Sequence, residues 1–95
     1  MDRMPALSIR QPYAKHIMRG TKTIEYRTMP TKHLKRVYVY ASKTKGAPEA
    51  FQKMRVNPGD LPTGVLVGTV EIIDCTGRKG SYQWHLKRPR RSEES

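Results

Sequence analysis

Residues 64–75, Gly-Val-Leu-Val-Gly-Thr-Val-Glu-Ile-Ile-Asp-Cys, form a long strand-favouring stretch. Branched apolar residues dominate it, and such residues pack well on a pleated surface. Gly68 interrupts the run, which predicts a bulge or a bend of the kind that barrel corners require. The stretch therefore predicts one long, bent strand.

Shorter segments on both sides of this strand also favour β structure, namely residues 5–9, 21–27, 37–41 and 82–86. The clearest of them is Val-Tyr-Val-Tyr-Ala. Its Val37, Val39 and Ala41 are expected to point inward, and Tyr38 and Tyr40 to line the other face. The chain thus predicts about five strands.

Helical signals are confined to two short segments. Residues 11–18 carry an apolar stripe at helical spacing, and Gly20 follows them in the usual capping position. Residues 49–55 form a second, shorter candidate. About five strands and one or two short flanking helices in 95 residues predict an α+β fold built on a small, closed or partly closed barrel.

The segment 21–27, Thr-Lys-Thr-Ile-Glu-Tyr-Arg, alternates between polar and apolar residues. Strict alternation places Glu25 and Arg27 on one face of a strand and Lys22 on the other. A pocket shared by Lys22 and Glu25 therefore requires Lys22 to lie in an irregular strand start.

The length of 95 residues predicts a single domain with a modest core. The closing strand is expected to end at residue 86 and the polar segment after it to fray. Residues 1–90 would form the domain and residues 91–95 a C-terminal tail. Neither a secretory signal nor a membrane span is visible, and with only one cysteine the chain points to a reducing, cytoplasmic setting. The single cysteine and three histidines show no metal spacing, so neither a metal nor another cofactor is expected.

The charge is large and unevenly distributed. The formal net charge is +11, with 19 Lys and Arg against 8 Asp and Glu. Residues 1–45 hold 11 basic and 2 acidic side chains, whereas residues 46–80 hold 4 of each and have no net charge. Such an imbalance predicts a polyanionic partner, of which nucleic acid is the commonest. The alternative is a set of solvated lysines that keep a small protein soluble.

Three segments together resemble the ASCH domain family, which has the PUA-like superfold. The stretch Gly20–Arg27 fits the family signature G-x-K-x-x-E-x-R at every fixed position. Leu7–Ala14 resembles the opening strand and helix start, and Tyr40–Lys43 resembles the end of the next strand. The resemblance extends over nearly all of residues 5–90.

The resemblance implies a small PUA-like β-barrel with a cleft beside the first helix, lined by the signature and used to bind RNA. Some small members act instead as ribonucleases, or as amidohydrolases on acylated cytidine. Those amidohydrolases use a Lys, which Lys22 matches, and a Thr, whose place Glu25 takes here. Glu71 is the nearest candidate for their distant Glu. Larger, transcription-associated members suggest a protein-interaction module as a third possibility.

Eight residues are the candidate binding set: Arg10, Gln11, Tyr13, Lys22, Glu25, Arg27, Ser42 and Lys43. Cationic groups can hold phosphate, the Glu25 carboxylate can accept a hydrogen bond from a cytosine amino group, and Tyr13 can stack. The alternatives are a salt-bridged cluster on an open strand face, a Gln11 that caps the helix, and a Tyr13 in the core. If the protein is an enzyme, Lys22 would activate a nucleophile or water, and Glu25 would shuttle a proton.

A second layer of basic residues is expected to steer nucleic acid. It comprises Lys32, Lys35 and Arg36 in a loop and the basic residues of segment 87–91. Tyr38, Tyr40 and Trp84 are either a stacking platform or part of the barrel wall. The favoured function is a module that binds single-stranded or structured RNA, in preference to DNA, and the alternative is a small nucleotide-directed hydrolase.

Overall fold

The computed structural model describes residues 4–92. These residues form one curled five-stranded sheet and two short helices. The elements in chain order are β1 (Ala6–Ile9), α1 (Tyr13–Arg19), β2 (Ile24–Arg27), β3 (Arg36–Ala41), α2 (Pro48–Met54), a 3-10 turn (Pro58–Asp60), β4 (Val65–Arg78) and β5 (Ser81–Arg91). The strand order is β1-β3-β4-β5-β2, with β1 parallel to β3 and every other pair antiparallel. The sheet forms a half-barrel, which confirms the predicted PUA-like α+β class.

The core lies between α1 and the inner face of the sheet. Every strand except β2 contributes to it, and its buried members are Leu7, Ile9, Ala14, Ile17, Met18, Val37, Val39, Ala41, Val70, Ile72 and Leu86. The alternation in β3 is as predicted, because its valines and Ala41 are buried whereas Tyr38 is exposed. Helix α1 begins two residues later than predicted and ends at Gly20, whose φ of 79° is left-handed.

The predicted bend in the long strand is present at Gly68. Here β4 carries one extra residue relative to β3, since Val39 pairs with Gly68 and Tyr40 with Leu66. A Cβ atom at Gly68 would overlap the Arg90 carbonyl oxygen and the Cε atom of Met18. Only glycine therefore allows β5 and α1 to pack this closely against the bend.

The prediction that the chain frays after residue 86 is wrong. Strand β5 continues to Arg91, where Arg90 pairs with Thr69 and Arg91 with Gly68. The Ser92 N–H then donates to the Val67 carbonyl at 2.9 Å. Strand β4 is long enough to supply backbone partners for this polar segment, and backbone pairing does not depend on apolar side chains. Residues 93–95 of the predicted tail lie outside the described residues.

The segment 21–27 is a strand only from residue 24 onward. The backbone N–H groups of Thr21 and Lys22 donate to the His16 carbonyl at 3.0 and 3.1 Å, and so fold the chain back onto the end of α1. Lys22 therefore does not follow the strand alternation. This is the irregular strand start that a pocket shared with Glu25 requires.

Candidate functional site

A cleft of about 360 Å³ opens between the two edge strands of the sheet, β1 and β2. We call it the signature cleft, and its lining residues are Ser8, Ile9, Arg10, Tyr13, Glu25, Tyr26, Arg27 and Thr28. Four of them belong to the predicted binding set: Arg10, Tyr13, Glu25 and Arg27. The chain thus brings two of the three sequence segments of the resemblance together in one opening.

Glu25 is the only acidic residue of the cleft lining, and it is held by two cations. Arg27 Nε donates to Glu25 Oε2 at 3.0 Å, and Lys22 Nζ lies 3.7 Å from Glu25 Oε1. Only 14% of the Glu25 side chain is exposed. The carboxylate is therefore fixed in orientation within the cleft, which a freely solvated glutamate would not be.

Lys22 approaches Glu25 from between two tyrosines. Its Nζ lies 5.8 Å from the ring centroid of Tyr13 and 5.3 Å from that of Tyr26, within cation–π range. Nζ also donates to the Ile24 carbonyl at 2.6 Å. The ammonium group is thus directed back toward the start of β2.

Arg27 joins the two edges of the half-barrel. Its Nη2 donates to the Ser8 carbonyl of β1 at 2.7 Å, so one side chain links β2 to β1. Its guanidinium lies 5.7 Å from the Trp84 ring centroid, and Trp84 Nε1 donates to the Met29 carbonyl at 3.0 Å. Arg27 therefore shapes the cleft as well as charging it.

Gln11 lies in the interior, with 2% of its surface exposed. Its Nε2 donates to the Pro62 carbonyl, and its Oε1 accepts from the Lys15 N–H, both at 3.0 Å. This is the capping alternative considered above, and it occupies an N–H of the first helical turn. Gln11 does not line the signature cleft, and its binding role stays a prediction.

Ser42 and Lys43 do not line the signature cleft. Ser42 extends the β3 pairing, because its N–H donates to the Ile9 carbonyl at 2.8 Å, and its Oγ accepts from the Thr44 N–H at 3.0 Å. The exposed Lys43 places its aliphatic stem against Gly64. Both residues lie beyond the end of β3, which is where the resemblance predicted them.

Tyr26, Ser8, Ile9 and Thr28 line the cleft although the sequence did not single them out. Tyr26 is more exposed than Tyr13, the other aromatic residue of the lining, at 64% against 38%. Lys22 lies 5.3 Å from the Tyr26 ring although it precedes the strand, so alternation does not account for this contact. The position of Tyr26 inside the signature segment was the signal that could have identified it.

His16 supports the turn that leads from α1 into the signature segment. Burial, followed by the positive charges of Arg19 and Lys22, lowers the pKa of His16. Its Nδ1 lies 2.9 Å from Thr21 Oγ1, and that hydroxyl also donates to the His16 carbonyl at 3.1 Å. These bonds fix the turn from which Lys22 extends.

Glu71, the suggested distant Glu, does not line the signature cleft. It forms ion pairs with Arg36 at 3.3 Å and Arg88 at 2.6 Å. The bond from Arg88 is the main cause that lowers the pKa of Glu71, with a further contribution from Arg36. Glu71 thus belongs to a structural ion-pair cluster elsewhere on the sheet.

Two further observations concern residues 4–92. No group of three His, Cys, Asp or Glu in that range is placed to hold a metal ion. The helices there are too short or too polar to cross a membrane.

Comparison with known proteins assigns the family. A family model described as ASCH domain matches residues 7–94. The chain belongs to the ASCH domain family. It is also similar to two proteins named Activating signal cointegrator 1. The human relative is 32% identical over 84 residues, which cover 77% of this chain and 14% of the relative. The mouse relative is 31% identical over 100 residues, which cover 94% of this chain and 17% of the relative.

The chain therefore spans about one-sixth of the length of these relatives. Family membership supports a nucleic-acid-binding domain in general.

Proposed function

We propose that this ASCH domain binds single-stranded or unpaired RNA in the signature cleft. The observation that carries the proposal is the Glu25 carboxylate, fixed by Arg27 in a cleft whose lining includes the exposed faces of Tyr13 and Tyr26. A fixed acceptor beside stacking faces suits an unpaired base.

The carboxylate favours a base that carries an exocyclic amino group. Glutamate accepts a hydrogen bond from the cytosine N4 amino group, whereas the uracil O4 at that position is itself an acceptor. Because Glu25 has little exposure, an unmatched base would exclude the remaining water from the carboxylate without supplying a hydrogen bond in its place. We therefore expect Glu25 to select cytosine over uracil.

Arg10 supplies the phosphate contact. It is exposed and lies in the cleft lining beside Tyr13. Arg27, by contrast, is already bonded to Glu25 and Ser8, so its role is to position the carboxylate. Arg10 and the two tyrosines thus supply affinity for RNA, and Glu25 supplies selectivity for the base.

Fluorescence anisotropy with labelled oligocytidine and oligouridine tests the proposal. Tyr26→Ala should weaken binding of both oligomers by roughly tenfold, since stacking contributes ~1–3 kcal/mol per base. Lys53→Ala, on an exposed position of α2, is the control and should bind as the wild type does. Affinity should fall as salt rises. Absence of RNA binding at low salt, or binding indifferent to salt, would contradict the proposal.

A second candidate function is a nucleotide-directed hydrolase, favoured by the 3.7 Å approach of Lys22 to Glu25. Binding is the better-supported function because Lys22 Nζ donates to the Ile24 carbonyl rather than facing an open position. Incubation with RNA and with an acylated cytidine at high protein concentration separates the two. Product released by the wild type but not by Lys22→Ala would establish the hydrolase.

A further inference from the structure

The outer face of the sheet gathers basic residues that are far apart in sequence. Arg36 of β3 pairs with Glu71 of β4, and Glu71 pairs with Lys87 of β5. One row further along, Tyr38 pairs with Thr69 and Thr69 with Arg90. We call these side chains, together with Arg88, the outer array: Arg36, Tyr38, Thr69, Glu71, Lys87, Arg88 and Arg90.

The pairing fixes all of these side chains except Arg88 on one face, because directly opposed residues of neighbouring strands point the same way. Arg88 lies in the register shift between Lys87 and Arg90, and its bond to Glu71 brings its side chain to the same face. Neighbouring residues point inward, since Val37 in β3, Val70 in β4 and Leu86 in β5 are buried. The sequence placed Arg36 in a loop, apart from the basic terminal segment. The structure places Arg36 at the start of β3, and the continuation of β5 to Arg91 brings Lys87 and Arg90 onto the same sheet.

Charge in the outer array is ordered around one carboxylate. Glu71 accepts from Arg88 Nε at 2.6 Å and from Arg36 Nη2 at 3.3 Å, and Arg36 Nη1 donates to Thr69 Oγ1 at 2.9 Å. Four cations stand against one anion, which leaves a net charge of +3. Lys87, which is paired with Glu71, and Arg90, which is paired with Thr69, are both exposed. The outer array is therefore a positively charged row in which hydrogen bonds to Glu71 and Thr69 hold Arg36 and Arg88 in place.

An aromatic ring lies beside this row. Tyr38 is 36% exposed and borders a shallow depression of about 200 Å³, whose lining also includes Leu66, Thr69 and Arg90. A ring next to a guanidinium at a shallow depression is the combination on which a base stacks while its phosphate meets the cation.

We propose that the outer array is a second contact surface for the same RNA strand. Phosphates lie along Lys87, Arg88 and Arg90, and one base or ribose packs against Tyr38. The inference takes its ligand class from the proposed function, but it shares no residue with the signature cleft. A strand held in the cleft would reach the array only if it is long enough, so the second contact should appear as a length-dependent gain in affinity.

The test compares a tetranucleotide with an unstructured strand of about 20 nucleotides, since single-strand sites span roughly 4–16 nucleotides. The variant is the double substitution Lys87→Ala and Arg90→Ala, which leaves the Glu71 ion pairs intact. Its charge-matched control is Lys53→Ala with Lys79→Ala, at exposed positions outside the array. Thermal unfolding of both variants establishes that each is folded.

We expect the array variant to bind the long strand about tenfold more weakly, with a salt slope lower by about 1.4, since each phosphate contact in single strands contributes about 0.7. The tetranucleotide should bind the array variant and the wild type equally. Equal losses in the array variant and the control, or no loss for the long strand, would overturn the inference and leave the cleft proposal standing. If the wild type binds neither strand, the cleft proposal fails as well.

Discussion

Glu25 and Glu71 are each held by two cations on the same sheet, yet they form different kinds of surface. Glu25 has 14% of its side chain exposed, and its cations contact tyrosine and tryptophan rings and two backbone carbonyls. Glu71 has 30% exposed, and its Arg88 is more than half exposed. Charge alone therefore does not make an ion pair part of an enclosed site. Neighbouring rings and backbone carbonyls must also hold the charged side chains in place.

The comparison also separates two uses of arginine. Arg27 donates hydrogen bonds to the Glu25 carboxylate and to the Ser8 carbonyl, which makes it a positioning group. Arg88 meets its glutamate at the surface, where solvent screens the pair.

The largest effect is expected from Gly68→Ala, which would disturb both regions together. The added methyl group would meet the Arg90 backbone beneath the outer array and Met18 of α1, the helix that carries Tyr13. A loss of about 3 kcal/mol in the free energy of unfolding is expected from such overpacking. Urea denaturation measures it. Gly59→Ala is the control, because nothing lies within 4 Å of its added Cβ. Equal stability of the two variants would refute the close packing.

Arg27→Ala should destabilise the domain more than Arg88→Ala. The first removes bonds to Glu25 and to the Ser8 carbonyl and leaves a shielded carboxylate with its weaker partner, at a cost of about 1–3 kcal/mol. The second opens a screened surface pair. Urea midpoints of the two variants give the order. A larger loss for Arg88→Ala would reverse the distinction between the two glutamates.

Glutamine at the two glutamate positions should change RNA affinity in opposite directions. Glu25→Gln replaces the fixed acceptor and should weaken oligocytidine binding by roughly tenfold, the value of one good base contact. Glu71→Gln removes the negative charge of the outer array and should strengthen binding of a long strand at low salt, by about twofold to threefold. Anisotropy titrations at matched salt test both. Stronger binding by both variants would show that net charge alone governs binding.

The smallest effect is a pH dependence with two windows. The folded pKa of His16 lies below its ordinary 6.5, so the unfolded chain binds a proton that the folded chain resists. Stability should fall as pH drops below 6.5, and His16→Asn should remove this loss.

The folded pKa of Glu71 lies below its ordinary 4.5. The stability that it contributes is present above pH 4.5 and is lost as pH falls through the folded value. Thermal unfolding from pH 7 to pH 3 resolves the two windows. A His16→Asn curve parallel to that of the wild type between pH 6.5 and 4.5 would contradict the first assignment.

The sequence predicted those features of the fold that depend on neighbouring residues in the chain. Strand alternation identified the inward residues of β3, and the glycines identified the α1 cap and the β4 bend. Positions that depend on distant partners were not predictable. Lys22 leaves the strand pattern because of the His16 carbonyl, and Gln11 turns inward to reach the Pro62 carbonyl.

The extent of β5 was missed for a similar reason. Residues 87–91 have no apolar periodicity, and only the length of β4 across the hairpin gives them partners. Four of the eight residues that line the signature cleft belong to the binding set that the resemblance suggested, and their binding role stays a prediction. A family motif carries information about residues that meet in space, which alternation and charge do not contain.

The bond from Arg27 to the Ser8 carbonyl has a dynamic consequence. It spans the two open edges of the half-barrel, where backbone groups otherwise lack a neighbouring strand. Loss of this bond would let the two edges separate more often. Hydrogen–deuterium exchange at β1 and β2 would then become faster.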